Sequence, residues 1–220
     1  MKVGDLDIKW LGHAGFLITN TKRIYIDPYN ISSQEKADII LITHSHFDHC
    51  SLADIEKIIK KGTVVVISPD VQSKINKFQG VEIQIMEPGD EISIGSVKIV
   101  AVAAYNKNKD FHKKSENWNG YLVKQGQVVI YHAGDTDLVP EMEKLTGYKS
   151  KSGEFVALLP VGGTYTMNYE EAAEAAKIIK PSLAIPMHFG GGVVGTEEDA
   201  SKFIELCQEE GINAMILEKS

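Results

Sequence analysis

His44-Ser45-His46-Phe47-Asp48-His49 brings three imidazoles and one carboxylate into six consecutive residues. Imidazole nitrogens and carboxylate oxygens are the donors that hold Zn²⁺, Mn²⁺ or Fe²⁺, so the string reads as the core of a metal site. His44 and His46 stand two apart; on extended backbone they project to one side and can bind one cation together. Asp48 and His49 lie further on, where a turn redirects them to a second cation. Four donors from so short a segment do not all reach one tetrahedral ion, which favours two metals. Two-metal sites hold their ions roughly 3.5–4 Å apart and run hydrolyses by activating a shared water.

Such a string needs rigid elements on both sides. Residues 39–43 form a short, continuous apolar run, the pattern of a strand covered on both faces. Ser51-x-x-Asp54 then caps a helix with apolar residues at Leu52, Ile55, Ile58 and Ile59, ending at Gly62. Upstream, residues 7–19 and 23–27 read as two strands with Asn20-Thr21-Lys22 as the turn. Downstream come a strand at 63–68, a helix at 70–78 and three short strands within 81–104. Residues 120–124 and 127–132 make a hairpin, and 140–145 a short helix closed by Gly147. Strand and helix then alternate: 154–159, 168–179, 183–187, 197–209 and 212–217. Asn168 with Glu171, and Thr196 with Asp199, match capping boxes, and Gly211 matches a helix stop. The order predicts a layered α/β protein, two sheets inside and helices on both outer faces. No linker-like stretch or repeat interrupts residues 1–220, so one domain is expected.

The His44-x-His46-x-Asp48-His49 string, after an apolar strand and a Thr, resembles the signature of the metallo-β-lactamase superfamily. Trp10-Leu11-Gly12-His13-Ala14, Tyr25-Ile26-Asp27-Pro28, His132-Ala133-Gly134-Asp135-Thr136, Leu159-Pro160-Val161-Gly162-Gly163 and Ile185-Pro186-Met187-His188 are similar to its other landmarks, in the same order. The combination is similar to the branch of metal-dependent hydrolases that includes ascorbate-6-phosphate lactonase-like and N-acyl-phosphatidylethanolamine phospholipase D-like proteins. That resemblance implies an αββα four-layer sandwich of two mixed β-sheets. It also implies His44 and His46 on the first metal, Asp48, His49 and His188 on the second, and Asp135 bridging both. The family usually completes the first metal with a His after a strand end, where this chain has Asn106. Either His112, six residues on, or a water takes that position, with Asn106 as a supporting or substrate contact. Asp27 is expected to orient a ligating His. His13 and His132, inside strand patterns, are expected as core or supporting groups rather than ligands, and Cys50 as a small buried residue.

The implied activity is hydrolysis: a metal-bridging hydroxide, oriented by Asp48, attacks an ester, lactone or phosphodiester of a small molecule. His188, Thr164 and Tyr165 are expected within reach of the leaving group. Two divalent ions are implied, Zn²⁺ first, with Mn²⁺ or Fe²⁺ as alternatives. The rival is a non-catalytic, metal-stabilised metabolite-binding or sensor protein. β-Lactamases proper bring a Cys ligand and a secretion signal, thioesterases of the glyoxalase II type a helical C-terminal extension, and flavodiiron relatives a Glu where His46 stands; none of these matches. A formal charge of −7 argues against a nucleic-acid surface. The loop 107–114, with four lysines against one aspartate beside His112, would attract an anionic substrate such as a phosphate ester. Two cysteines, no signal-peptide-like start and no long apolar run suggest a cytoplasmic protein without a transmembrane segment.

Overall fold

Antiparallel pairing opens each sheet and parallel pairing carries it to the site. The structure, a computed structural model, describes residues 1–146, 148 and 153–220. Among the described residues one sheet runs in chain order: β1 (Lys2–Val3), β2 (Leu6–Gly12), β3 (Gly15–Thr19), β4 (Arg23–Ile26), β5 (Ile39–Ile42), β6 (Val64–Ile67) and β7 (Glu82–Ile85). Its strands are antiparallel from β1 to β4 and parallel from β4 to β7. The second sheet is built from β8 (Glu91–Ile94), β9 (Val97–Ala103), β10 (Asn119–Gln125), β11 (Val128–His132), β12 (Glu154–Pro160) and β13 (Leu183–Met187), again side by side in chain order. There β8 to β11 are antiparallel, and β11 to β13 parallel.

Alternation along the strands sorts side chains into layers. Ile8, Phe16, Ile18, Ile24, Ile39 and Leu41 of the first sheet share one buried core with Ile99, Tyr121, Val123 and Ile130 of the second. The opposite face of the first sheet offers Leu17, Tyr25, Ile40, Ile42, Val65 and Ile67. These are covered by Ile55 and Ile58 of α1 (Leu52–Ile58) and Ile75 of α2 (Gln72–Ile75). Against β12 and β13 pack α3 (Tyr169–Ile179) and α4 (Glu197–Glu209), so helices flank two mixed sheets in an αββα sandwich. Both capping boxes form: Asn168 Oδ1 accepts from the Glu171 amide at 2.8 Å, and Thr196 Oγ1 from the Asp199 amide at 3.1 Å. Among the described residues no helix is long and apolar enough to cross a membrane.

Several expectations are corrected. Residues 7–19 are two antiparallel strands, folded back at His13-Ala14 with Trp10 opposite Phe16. The turn uses left-handed backbone at Gly12 (φ 101°) and His13 (φ 53°) and lacks the polar residues that advertise a turn. So His13 lies on a turn rather than inside a strand. The 70–78 helix shrinks to a 3-10 turn at Pro69–Val71 and the single turn of α2; α1 stops at Ile58 because Ile59 is already extended. Residues 140–145 form a 3-10 turn (Pro140–Leu145), while Gly147, its expected stop, lies outside the described residues. The strand at 212–217 reduces to an isolated bridge between Ala184 and Ala214. Ile212 and Ala214 are half-buried against the core, but Met215 and Ile216 both stay exposed, so the alternation breaks after Ala214.

Candidate metal centre

Loops at the C-terminal ends of parallel strands supply most of the donors, the usual location of sites in α/β sheets. His44, His46, Asp48 and His49 follow β5, Asp135 follows β11, and His188 follows β13; His112 lies on the β9–β10 loop. The second sheet grips the first where the string begins. The Tyr121 hydroxyl donates to the Ile42 carbonyl at 2.8 Å, and the Asn119 amide donates to the Thr43 carbonyl at 3.1 Å.

Every donor anticipated from the sequence comes to this place. One group joins His44, His46 and His112, a second His44, His49 and Asp135, and a third His13, Asp48, His49 and His188, with donor atoms mutually within 4.8 Å in each. Asp135 stands among them. Its Oδ1 is 3.2 Å from His49 Nε2, and its Oδ2 is 3.3 Å from His112 Nε2 and 3.2 Å from His188 Nε2. All are buried except His46, which is half-buried.

The other ring nitrogen of three histidines is held from behind, which fixes ring orientation. His49 Nδ1 donates to Asp27 Oδ2 at 2.8 Å, and the Thr43 hydroxyl donates to the same oxygen at 2.6 Å. Because that hydroxyl donates to Asp27, it accepts from His44 Nδ1 at 2.9 Å. His112 Nδ1 lies 3.0 Å from both Asn106 Oδ1 and the Tyr165 carbonyl. Asn106 is therefore no member of the donor group; it aims His112. Asn106 is itself held by Asp137 Oδ1 at 3.0 Å, the oxygen to which Lys109 Nζ also donates. Backbone strain concentrates here: Asp27 (φ 43°), His13 (φ 53°) and His188 (φ 62°) are non-glycine residues in the left-handed region. Gly134, before Asp135, has φ 66°, and a Cβ there would meet the Asn119 carbonyl oxygen at 2.7 Å.

His13 is the member that sequence reasoning passed over. Its Nε2 lies 2.9 Å from Asp48 Oδ2, and its ring centroid lies 4.0 Å from that of His188. Gly12 before it was the available signal, since a turn there puts His13 at the strand ends beside the string. Trp118 was also missed; its ring lies 4.7 Å from His44, 4.9 Å from His46 and 5.4 Å from His112. His132 is a structural group: its Nε2 donates to the Ala14 carbonyl at 2.8 Å, and its Nδ1 accepts from the Gly134 amide.

Burial and the neighbouring imidazoles hold His44 well below the ordinary imidazole range and lower His46 too, leaving neutral rings with free lone pairs at neutral pH. His13 is lowered by burial despite its bond to Asp48. At His49 burial opposes the charge, but Asp135 and Asp27 outweigh it and hold the ring well above 6.5. Burial would raise Asp135 and Asp48. His188 and His49 hold Asp135 well down instead, and the hydrogen bond from His13 brings Asp48 to about 2. Cys50 is pushed up to about 11 by burial and sits in the core under α1.

The cluster fits a metal. Nε2 of His44, His49, His112 and His188 and Oδ1 of Asp135 are buried without an aligned hydrogen-bond partner. Leaving such atoms unsatisfied costs about 1–3 kcal/mol each, and they converge rather than scatter. Nitrogen and carboxylate donors with lone pairs aimed at shared space are what Zn²⁺, Mn²⁺ and Fe²⁺ require.

The chain is similar to known proteins. The model of the Beta-lactamase superfamily domain matches residues 7–188. A UPF0173 metal-dependent hydrolase of Thermoplasma acidophilum is 36% identical over 193 residues, 84% of each chain. A UPF0173 metal-dependent hydrolase of Nanoarchaeum equitans is 34% identical over 217 residues, 97% of each chain. The crystal structure of a candidate metal-dependent hydrolase from Parabacteroides distasonis superposes with a TM-score of 0.84 at 30% identity, covering 98% of this chain and 94% of that one.

Proposed function

The chain belongs to the beta-lactamase superfamily, with the UPF0173 metal-dependent hydrolases, and on that premise we propose that it is a binuclear hydrolase of esters, lactones or phosphodiesters of small molecules. The observation that carries this reading is the convergence of buried donor atoms on Asp135 without aligned hydrogen bonds. In it His44, His46 and His112 hold one cation, Asp48, His49 and His188 the other, and Asp135 both. Zn²⁺ suits this donor set first, with Mn²⁺ and Fe²⁺ as competitors. Divalent cations held there supply an acidified water and a Lewis acid for the oxygen that gains charge.

The protein's own groups do the positioning. Asp48 Oδ2 is tied to His13, which fixes the carboxylate and keeps it ionised, so it can accept a hydrogen bond from the attacking water. Asp27, Thr43 and Asn106 hold the rings of His49, His44 and His112 from behind. Trp118 covers one side of the cluster and keeps solvent from His44. An anionic substrate finds fewer free lysines than the loop composition suggests, since Lys109 is engaged by Asp137 and Lys114 by Glu141.

The test is a screen of lactones, carboxylic esters and phosphodiesters with protein loaded with each metal in turn, beside Asp48→Ala. Turnover that Asp48→Ala abolishes supports the proposal. A fully loaded protein that binds such compounds without product contradicts hydrolysis and identifies a metal-stabilised binding protein.

A further inference from the structure

Phe47 and Phe111 are the two most exposed large apolar side chains among the described residues, at 65% and 49%. Both flank donors: Phe47 lies between His46 and Asp48, and Phe111 immediately precedes His112. Each is backed by a half-buried tyrosine. Phe47 stands edge-on to Tyr29 at 5.9 Å, and Tyr29 meets His13 at 5.8 Å. Phe111 stands edge-on to Tyr165 at 4.7 Å, whose carbonyl faces His112 Nδ1 at 3.0 Å. Two aromatic pairs thus hang on the donor cluster, one on its His13–Asp48 side and one on its His112 side. Burying a Phe is favourable, so two left in water beside a reactive centre favour a ligand that covers them. Phe47 packs no core and caps no helix, and its backbone neighbours are fixed by their own contacts.

We propose that the Tyr29–Phe47 and Phe111–Tyr165 pairs form apolar walls on two sides of the donor cluster, against which an aryl or alkyl group flanking the scissile bond of the substrate packs. The inference rests on the metal-centre reading above and adds the substrate class: an uncharged apolar substituent next to the group that the cations bind. Edge and offset contacts between rings add to simple burial, so an aryl group gains more here than a small alkyl group of the same charge.

Phosphonates test this without turnover. Phenylphosphonate and methylphosphonate carry the same anchoring group and differ in the ring; their affinities are measured by calorimetry on zinc-loaded protein. Phenylphosphonate should bind roughly tenfold more tightly, with the ratio falling toward unity in the double variant Phe47→Ala/Phe111→Ala and partly restored in Phe47→Leu/Phe111→Leu. Metal content, measured alongside, should match the wild type in both variants. Equal affinities, no binding of either probe, or an unchanged ratio in the double alanine variant would overturn the subsite. So would a concentration-dependent dimer of the wild type that Phe47→Ala dissolves, because the rim would then serve a second copy of the chain. A failed hydrolysis screen leaves this binding result intact, and equal affinities of the two phosphonates for the wild type leave the hydrolysis proposal standing, so the two proposals fail separately.

Discussion

Asn106 stands where the family usually has a His, and it turns its carbonyl oxygen to His112 while its amide nitrogen reaches Asp137 and the Tyr165 carbonyl. Groups that orient a metal-binding imidazole typically change affinity about 10–100-fold when removed. Asn106→Ala should therefore weaken zinc binding by about that factor in competition with a chromophoric chelator, with folding retained; unchanged affinity would show that His112 needs no such support. Asp48 sets a pH dependence for the metal-free protein. Its folded pKa of about 2 lies below the ordinary 3.8, so its contribution is present above pH 3.8 and disappears as pH falls toward 2. That amounts to about 2 kcal/mol. Urea unfolding between pH 5 and 2.5 should show a shallower loss for Asp48→Asn than for the wild type, and parallel profiles would rule this out. The string from His44 to His49 was legible because its donors are contiguous. Asp135 and His188 lie far along the chain and were readable only through resemblance, and His112 only by its position six residues past Asn106, with a water as the alternative. Thr43 and Tyr165 act through a hydroxyl and a backbone carbonyl, which no residue pattern announces.

At the scale of elements, the string is positioned by β5, a strand with parallel partners on both sides and hydrogen bonds reaching its end from β10. Tyr121→Phe removes the donor to the Ile42 carbonyl and should lower stability by about 1 kcal/mol in denaturant titrations; a neutral outcome would mean that β10 does not anchor the string. The strand at 39–43 was readable because its apolar run is too short for a helix and rich in β-branched residues, and Ile39–Ile42 is buried on both faces. The fold-back at His13-Ala14 is hard to read because Gly12 and Gly15 are its only turn signals in an otherwise strand-like stretch, and this turn delivers His13 to Asp48. The last segment, 212–217, has strand-like composition but only Leu217 buried at its end, and composition alone does not reveal which face has a partner.

Across the whole molecule the candidate centre is a seam between two sheets: β5 brings one half of the donors, and β11, β13 and the β9–β10 loop bring the other. A cation bound there ties the layers together and stabilises the folded chain by mass action, about 4 kcal/mol when free metal exceeds its dissociation constant a thousandfold. Chelation should lower the melting midpoint by roughly 10 °C, reversibly on adding zinc; a midpoint indifferent to chelator would separate the metal from the fold. The layered architecture was legible from the order of strands and helices, whereas the meeting of the two halves depends on packing between sheets that local patterns do not encode.

The central claim, two cations sharing Asp135, is tested most directly by counting metal in zinc-reconstituted protein by plasma mass spectrometry, for the wild type and Asp135→Ala. About two zinc ions per chain are expected in the wild type and about one or none in the variant. A single zinc in the wild type, or full content in Asp135→Ala, would contradict it.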